Sequence, residues 1–273
     1  MGKVFSAFEV MNGATPKLLS YSKLKNEIVQ LVTESDVLIG GLICGSVLRG
    51  DHNVRSDLDF VTVYSHENSG VAAYGLSKII QLAESLFVPL EVIHADTEVA
   101  SSSGHSIGPA FRKHLDWAAE HGGVIKNNPL VHFQPIPISL EHDIADYFRQ
   151  KLSKLSKGRV RFACMSFEEQ LEYLQKIIEA PERTMRKWLE YHGFDVGGCG
   201  KLEAVEHYAN HPKCPGFKIG PDLYALDVEY TGEVQRQLDG ARNKARYTRA
   251  IDVITNSIPR VIEFVRTNAL SLE

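Results

Sequence analysis

The sequence predicts an α/β (α+β) protein in two parts, a small sheet with flanking helices followed by a mainly helical region. Three observations predict it. Up to residue 126, short apolar runs of strand length alternate with segments whose apolar residues recur at helical spacing. Asn127-Asn128-Pro129 and Pro135-Ile136-Pro137 then break the pattern. Beyond Ser139 the strand signal fades and helical periodicity takes over. The expected division is therefore residues 1–130 and 131–273.

Residues 1–19 have no clear period and contain Asn12-Gly13 and Pro16, so they read as an irregular arm. Leu24, Ile28, Leu31 and Val32 predict a helix over Tyr21–Thr33, capped by Ser20 or Ser22. Val37–Cys44 is apolar and stops at Gly45-Ser46, which reads as a buried strand, with one short helical turn after it at Val47–Gly50. Asp57–Tyr64 alternates and is rich in β-branched and aromatic residues, the mark of a second strand. Leu76, Ile79, Ile80, Ala83 and Phe87 share one face of a helix over Val71–Phe87, and Pro89 stops it. Leu90–His94 is a third strand, and residues 95–106 a polar loop. Phe111–Glu120 is a helix ended by Gly122-Gly123, with a last short strand at Val124–Lys126.

In the second half, Leu140–Leu155, Ser166–Ala180, Pro181–Tyr191, Lys201–Asn210, Pro221–Leu238 and Ala241–Arg266 read as helices. Ser166-Phe-Glu-Glu and Pro181-Glu have the form of helix starts, and Gly193 that of a C-cap.

The totals exclude several classes. With 44% hydrophobic and 23% charged residues, the chain is built to bury a core without staples. A net charge of −4 gives no overall pull toward nucleic acid. No stretch approaches the ~18 apolar residues of a membrane span, and the start is too polar for a secretory signal. Four cysteines in so long a chain do not suggest a disulfide framework, so the expected location is cytoplasmic.

One stretch carries chemistry: GSVLRGDHNVRSDLDFVTVY, Gly45 to Tyr64. On a strand, residues two apart share a face, so Asp57 and Asp59 stand side by side while Leu58 and Phe60 face the core. Adjacent carboxylates repel, a cost that a bound cation removes. The Gly45-Ser46 turn offers backbone N–H groups to an anion. Together these read as a place for a metal-bound polyphosphate.

Gly45-Ser46 followed by Ser-Asp-Leu-Asp-Phe resembles the signature of the DNA polymerase β-type nucleotidyltransferase superfamily. Arg49-Gly50 fits the form seen in its small bacterial members, the minimal nucleotidyltransferases. The resemblance covers roughly residues 20–126, with Glu91 as candidate for the third carboxylate of the family, which lies on a later strand. It implies a metal-dependent nucleotidyltransferase with a mixed sheet. Asp57 and Asp59 would hold one or two Mg²⁺, and Glu91 would complete a metal position or accept the proton of the attacking hydroxyl. Gly45 and Ser46 would hold the outer phosphates of an NTP, with ATP the expected donor. Arg49 is either a phosphate contact or a surface arginine, and Ser56 either a phosphate contact or a turn-making residue.

The layout also looks like that of antibiotic nucleotidyltransferases, which favours a small-molecule hydroxyl as acceptor. The alternatives are a protein- or RNA-modifying enzyme of toxin–antitoxin type, or a non-catalytic nucleotide-binding module. His52 and Arg55, in the intervening loop, read as solvated.

Four other features compete for attention. Cys199, His207, His211 and Cys214 form a loose Cys/His set whose spacing matches no common zinc finger. They read as a short helix with polar histidines and two small cysteines, with zinc as the alternative. Arg186 and His192 fit a loose Arg-x5-His pattern of helical ribonucleases of the HEPN group, but an exposed helix end with Trp188 packed inward is the simpler reading. Arg236, Arg242, Lys244, Arg246 and Arg249 read as the solvated face of a helix, or else as the lining of an anionic cleft. The loop at Ser101–His105 follows the Glu91 strand and reads either as a flexible polar loop or as a border of the acceptor site, with His105 as base or acceptor contact.

Overall fold

The structure is a computed structural model that describes residues 3–101 and 107–272. It has two compact units. The first runs from Thr15 to Leu140. The second joins the segment up to Ala14 to the chain from Glu141 onward, so the N-terminal arm groups with the helical unit.

The first unit is a four-stranded mixed sheet between two helical layers. β1 (Leu38–Cys44), β2 (Leu58–Tyr64), β3 (Leu90–Asp96) and β4 (Val124–Ile125) lie in the order β3-β2-β1-β4. β1 is antiparallel to β2 and β4, and β2 is parallel to β3. α1 (Ala7–Met11) belongs to the other unit; the helices here are α2 (Leu18–Glu34), α3 (Gly45–Arg49), α4 (Ser69–Ser85), α5 (Thr97–Ala100) and α6 (Pro109–Glu120). Side chains alternate across the sheet. Leu58 and Phe60 pack with Tyr21, Leu24 and Ile28 of α2 and Leu76 and Ile79 of α4. Val61 and Val63 face the other way, onto Ala100, Leu115, Ala118, Leu130 and Phe133. Both faces of the sheet are thus covered, which is why β1 and β2 are almost continuously apolar.

Several boundaries differ from expectation. α2 starts at Leu18, with Lys17 rather than a serine at its N-cap and no side-chain cap. Ile80 and Phe87, expected on the buried face of α4, are exposed; Phe87 lies beyond the helix with φ 56°. Part of the expected 95–106 loop is the short helix α5, whose N-cap Asp96 accepts a hydrogen bond from the Val99 N–H at 2.7 Å.

The second unit is helical: α1, α7 (Leu140–Arg161, whose first residue is the last of the first unit), α8 (Phe167–Tyr191), α9 (Lys201–Asn210), α10 (Ile219–Leu238) and α11 (Lys244–Leu270). α1 was not expected, though Ser6-x-x-Glu9 is a complete capping box. The arm is fixed by two buried tyrosines. Its Phe5 N–H donates to Tyr230 Oη at 3.0 Å, and Tyr247 Oη donates to the Phe5 carbonyl at 2.8 Å.

The two helices expected on either side of Pro181 are one, α8. A proline inside a helix costs about 3 kcal/mol through its missing N–H and ring clash. Here Ile177, Ile178, Met185, Trp188 and Leu189 are all fully buried around it. At ~1.5–3 kcal/mol for each such side chain, burial outweighs the break. Of the two expected starts, the one at Ser166 stands: it is the N-cap and bonds reciprocally with Glu169, while Pro181 lies inside the helix.

Candidate functional site

The first unit gathers Asp57, Asp59 and Glu91 at one corner of its sheet. Asp59 lies directly across from Cys44 on β1 and from Glu91 on β3. In-register neighbours on adjacent strands project to one face, so the two carboxylates are brought together by register alone. Pro89 helps set that register, because its carbonyl accepts the Leu58 N–H at 2.8 Å just before the β2–β3 ladder begins. Asp57 immediately precedes β2 and stands two residues from Asp59, hence on the same side. One oxygen from each of the three carboxylates lies within 4.8 Å of the others. Asp57 and Asp59 are half-buried and Glu91 is exposed, so the cluster opens to solvent at the strand ends.

The Gly45 turn is fitted to this cluster. Gly45 has φ 72°, a left-handed conformation that other residues adopt only at a cost. A Cβ built there would collide with Oδ2 of Asp59. Glycine therefore serves twice, by turning the chain from β1 into α3 and by leaving room for the Asp59 carboxylate. Ser46 follows, buried, its carbonyl accepting the Gly50 and Asp51 N–H groups at 2.9 and 3.2 Å. Arg49 ends α3 with Nε 3.2 Å from Oδ1 of Asp51. The Cys44 thiol reports the field of the corner. Burial pushes its pKa far up, Asp59 and Glu91 push it further, and Arg49 opposes them.

The loop between the two signatures is not solvated as expected. Arg55 is only 2% exposed, and His52 is half-buried with its ring 5.0 Å from that of Tyr21. The loop folds in under α2 because it satisfies itself. The Ser56 hydroxyl accepts the Asn53 N–H at 3.0 Å, Asn53 Oδ1 accepts the Arg55 N–H at 2.9 Å, and Tyr21 Oη donates to the Ser56 carbonyl at 2.6 Å. The hydroxyl of Ser56 is thus part of the turn that delivers Asp57 to the corner.

The donor set suits a hard cation: three carboxylates, oxygen only, at a solvent-facing corner. The glycine cradle beside Asp59 fits the same purpose.

Other candidates fare differently. Arg186 is consumed structurally: it pairs with Glu182 and donates to the Val196 and Cys199 carbonyls, both at 2.7 Å. His192 Nδ1 lies 2.9 Å from the Trp188 carbonyl, with its ring stacked on the indole. Nothing in this pairing leaves an arginine and a histidine facing a common substrate. Arg236 and Arg246 both pair with Glu233, at 2.7 and 2.8 Å. Cys199 and His207 come together with Glu203, while His211 packs against Trp188 and Phe194, and Cys214 is buried. The expectation for His105 lies outside the described residues.

Sequence reasoning missed a polar seam between α7 and α8. Glu179 is 7% exposed, with Nε of Arg183 3.6 Å from its carboxylate. The hydroxyls of Tyr147 and Thr184 are shielded from solvent and find no hydrogen-bond partner among the described residues. Lys151 belongs to the same seam; burial, with Arg183 adding to it, lowers its pKa to about 8 against the pull of Glu179. Tyr147 and Lys151 share helical spacing on one predicted helix, but the break expected at Pro181 splits Glu179 from Arg183, and each pair alone has the form of a solvated face.

A scan against protein-family models gives no match, and a search of curated proteins gives none. Among the described residues no helix is long and apolar enough to cross a membrane.

Proposed function

We propose that the first unit is the catalytic domain of a metal-dependent nucleotidyltransferase, which moves a nucleoside monophosphate from an NTP to an acceptor hydroxyl. The observation that carries this reading is the convergence of Asp57, Asp59 and Glu91 beside a glycine turn shaped around Asp59. Three like charges held this close are costly, and a cation offsets the cost.

Asp57 and Asp59 would hold Mg²⁺, with Glu91 completing the set. Such an ion, when bound, neutralises phosphate charge and orients it for in-line displacement. The chain's own groups do the rest. The Gly45-Ser46 turn approaches the outer phosphates, its backbone uncrowded because residue 45 has no Cβ. Arg49, tethered to Asp51 at the end of α3, supplies a positive group for the departing charge. In the transfer, the acceptor oxygen bonds to the α-phosphorus and the bond from that phosphorus to the bridging oxygen breaks. Pyrophosphate leaves, and the acceptor proton passes to a base. Glu91 is the candidate base, being the most exposed of the three carboxylates. A small-molecule hydroxyl is the favoured acceptor and ATP the favoured donor.

The test is pyrophosphate release from each of the four NTPs with Mg²⁺ and a panel of acceptors, with mass spectrometry of acceptors and protein. Asp57→Asn and Asp59→Asn should each lower turnover by about two to three orders of magnitude, the scale of losing a main electrostatic contact in a transition state. Both variants should keep the wild-type circular dichroism. Wild-type turnover in both would overturn the assignment. A mass increase on the protein itself would move the acceptor from a small molecule to a protein.

A further inference from the structure

We propose that Cys199, Glu203 and His207 form a binding site for a borderline divalent cation, with Zn²⁺ the best match, leaving one coordination position open. The site lies wholly in the helical unit, at the loop that leads from α8 into α9. Sγ of Cys199, a carboxylate oxygen of Glu203 and a ring nitrogen of His207 lie within 4.8 Å of one another. A thiolate, an imidazole and a carboxylate are the mixed donors that select zinc over magnesium or calcium. Three protein ligands leave the fourth tetrahedral position to water or an exogenous donor.

The loop holds the cysteine in place. Arg186 reaches up from α8 and donates to the Val196 and Cys199 carbonyls, both at 2.7 Å, while Glu182 anchors its other edge. Asp195 Oδ1 accepts the Gly197 N–H at 3.0 Å, and the Cys199 N–H donates to the Val196 carbonyl at 3.2 Å. The thiol is therefore presented by a closed turn whose backbone is fixed by a buried guanidinium. The carboxylate is oriented too. Oε2 of Glu203 accepts the Gly200 N–H at 3.2 Å, which leaves Oε1 facing Nε2 of His207 at 3.8 Å. Glu203 and His207 sit one helical turn apart on α9, so helix geometry alone pairs them.

Tetrahedral zinc ligands stand roughly 3.5 Å apart, given metal–ligand bonds of about 2.0–2.3 Å. From separations of at most 4.8 Å, the three atoms need to draw in by about 1.3 Å at most. The side chains that must move are those with room to do so, His207 being 48% and Glu203 57% exposed. Binding would release the thiol proton, so affinity should rise with pH.

Cobalt(II) is the probe, because thiolate–cobalt bonds give a near-ultraviolet charge-transfer band and tetrahedral geometry gives visible bands. Titration of the full chain with Co²⁺ should produce both, and Zn²⁺ should displace them. Cys199→Ser should abolish the charge-transfer band. His207→Gln should weaken binding at least as much as the ~10–100-fold seen on losing an outer-shell partner. His211→Gln and Cys164→Ser should bind as the wild type does, and circular dichroism should show every variant folded. Absence of the band in the wild type, its survival in Cys199→Ser, or an equal loss in His211→Gln would overturn the assignment.

Discussion

The carboxylate corner of the first unit and the polar seam of the second handle clustered charge in opposite ways. Along α8, which carries one side of the seam, each buried acid meets a base one helical turn away: Glu179 with Arg183, Glu182 with Arg186, and Glu190 with Lys187. Opposite charges at that spacing are what a helix offers for free. At the corner, three acids from two strand ends are collected into one cluster by strand register. The first arrangement neutralises itself and is built to remain closed. The second gathers carboxylates at a solvent-facing end, where a cation or a reacting group can reach them. The contrast teaches that a count of charges is a poor guide to a site, whereas the sign pattern within one cluster is a good one.

The sharpest way to break the comparison is Gly45→Ala. The added methyl meets the Asp59 carboxylate and must also adopt φ 72°. Left-handed strain costs roughly 1–2 kcal/mol, and crowding in a packed site a further ~1–3 kcal/mol. Thermal unfolding should therefore report a loss of about 3 kcal/mol. NTP turnover should fall even at temperatures where the variant is fully folded, because Asp59 is displaced from Glu91. Gly50→Ala is the control. It also has positive φ, at 80°, but a Cβ there meets nothing within 4 Å, so it should pay the strain alone and keep turnover. Equal losses of activity in both would mean that the fit between Gly45 and Asp59 does not matter.

The corner was legible in the sequence because its parts are short-range. Asp57 stands two residues before Asp59 at the start of β2, and Gly45-Ser46 follows the strand that pairs with Asp59. Glu91 came from the family resemblance alone, as a carboxylate on a later strand; that this strand lies in register beside β2 is seen only in the structure. The loop from Asp51 to Ser56 was misread because polarity was taken for exposure. Arg55 is buried through a turn whose partners, Asn53 and Ser56, are themselves polar. Pro181 was misread as a helix start because a local propensity of about 3 kcal/mol is visible in sequence while the tertiary burial that overrides it is not. The seam went unseen for the same reason. Its meaning depends on which faces of α7 and α8 meet, and spacing along one helix does not specify that.

The seam makes its own prediction through Lys151. Its folded pKa, about 8, lies below the unfolded value near 10.4. Between those values the unfolded chain binds more protons than the folded one, so the contribution of this lysine to stability rises with pH. Below pH 8 the full penalty is present. The groups facing it are Arg183, Lys176 and Lys154, which lower its pKa, and Glu179, which raises it. Lys151→Met removes the penalty, so the variant should gain most relative to wild type near pH 7. That relative gain should shrink by on the order of 1–2 kcal/mol by pH 9.5. Urea unfolding of both proteins across this range measures it, and taking the difference cancels the thiols and tyrosines common to both. A gap that does not change with pH would show that Lys151 keeps an ordinary amine in the fold.

The smallest effect reads the corner directly. Cys44 is 5% exposed and lies across the ladder from Asp59, and the two carboxylates nearest it add to the burial that holds its thiol protonated. Only the thiolate reacts with alkylating agents. At pH 8 iodoacetamide should label exposed Cys164 first and leave Cys44 as the slowest of the cysteines. Burial is unchanged by Asp59→Asn, but one negative neighbour is lost, so labelling of Cys44 should quicken several-fold while Cys164 labels as before. Saturating Mg²⁺ should have the same sign of effect in the wild type and none in the variant, since it would cancel the same charge from the other side. A Cys44 rate indifferent to both treatments would mean that the corner carries no collected charge, and the distinction between a closed seam and an open site would fail at its open end.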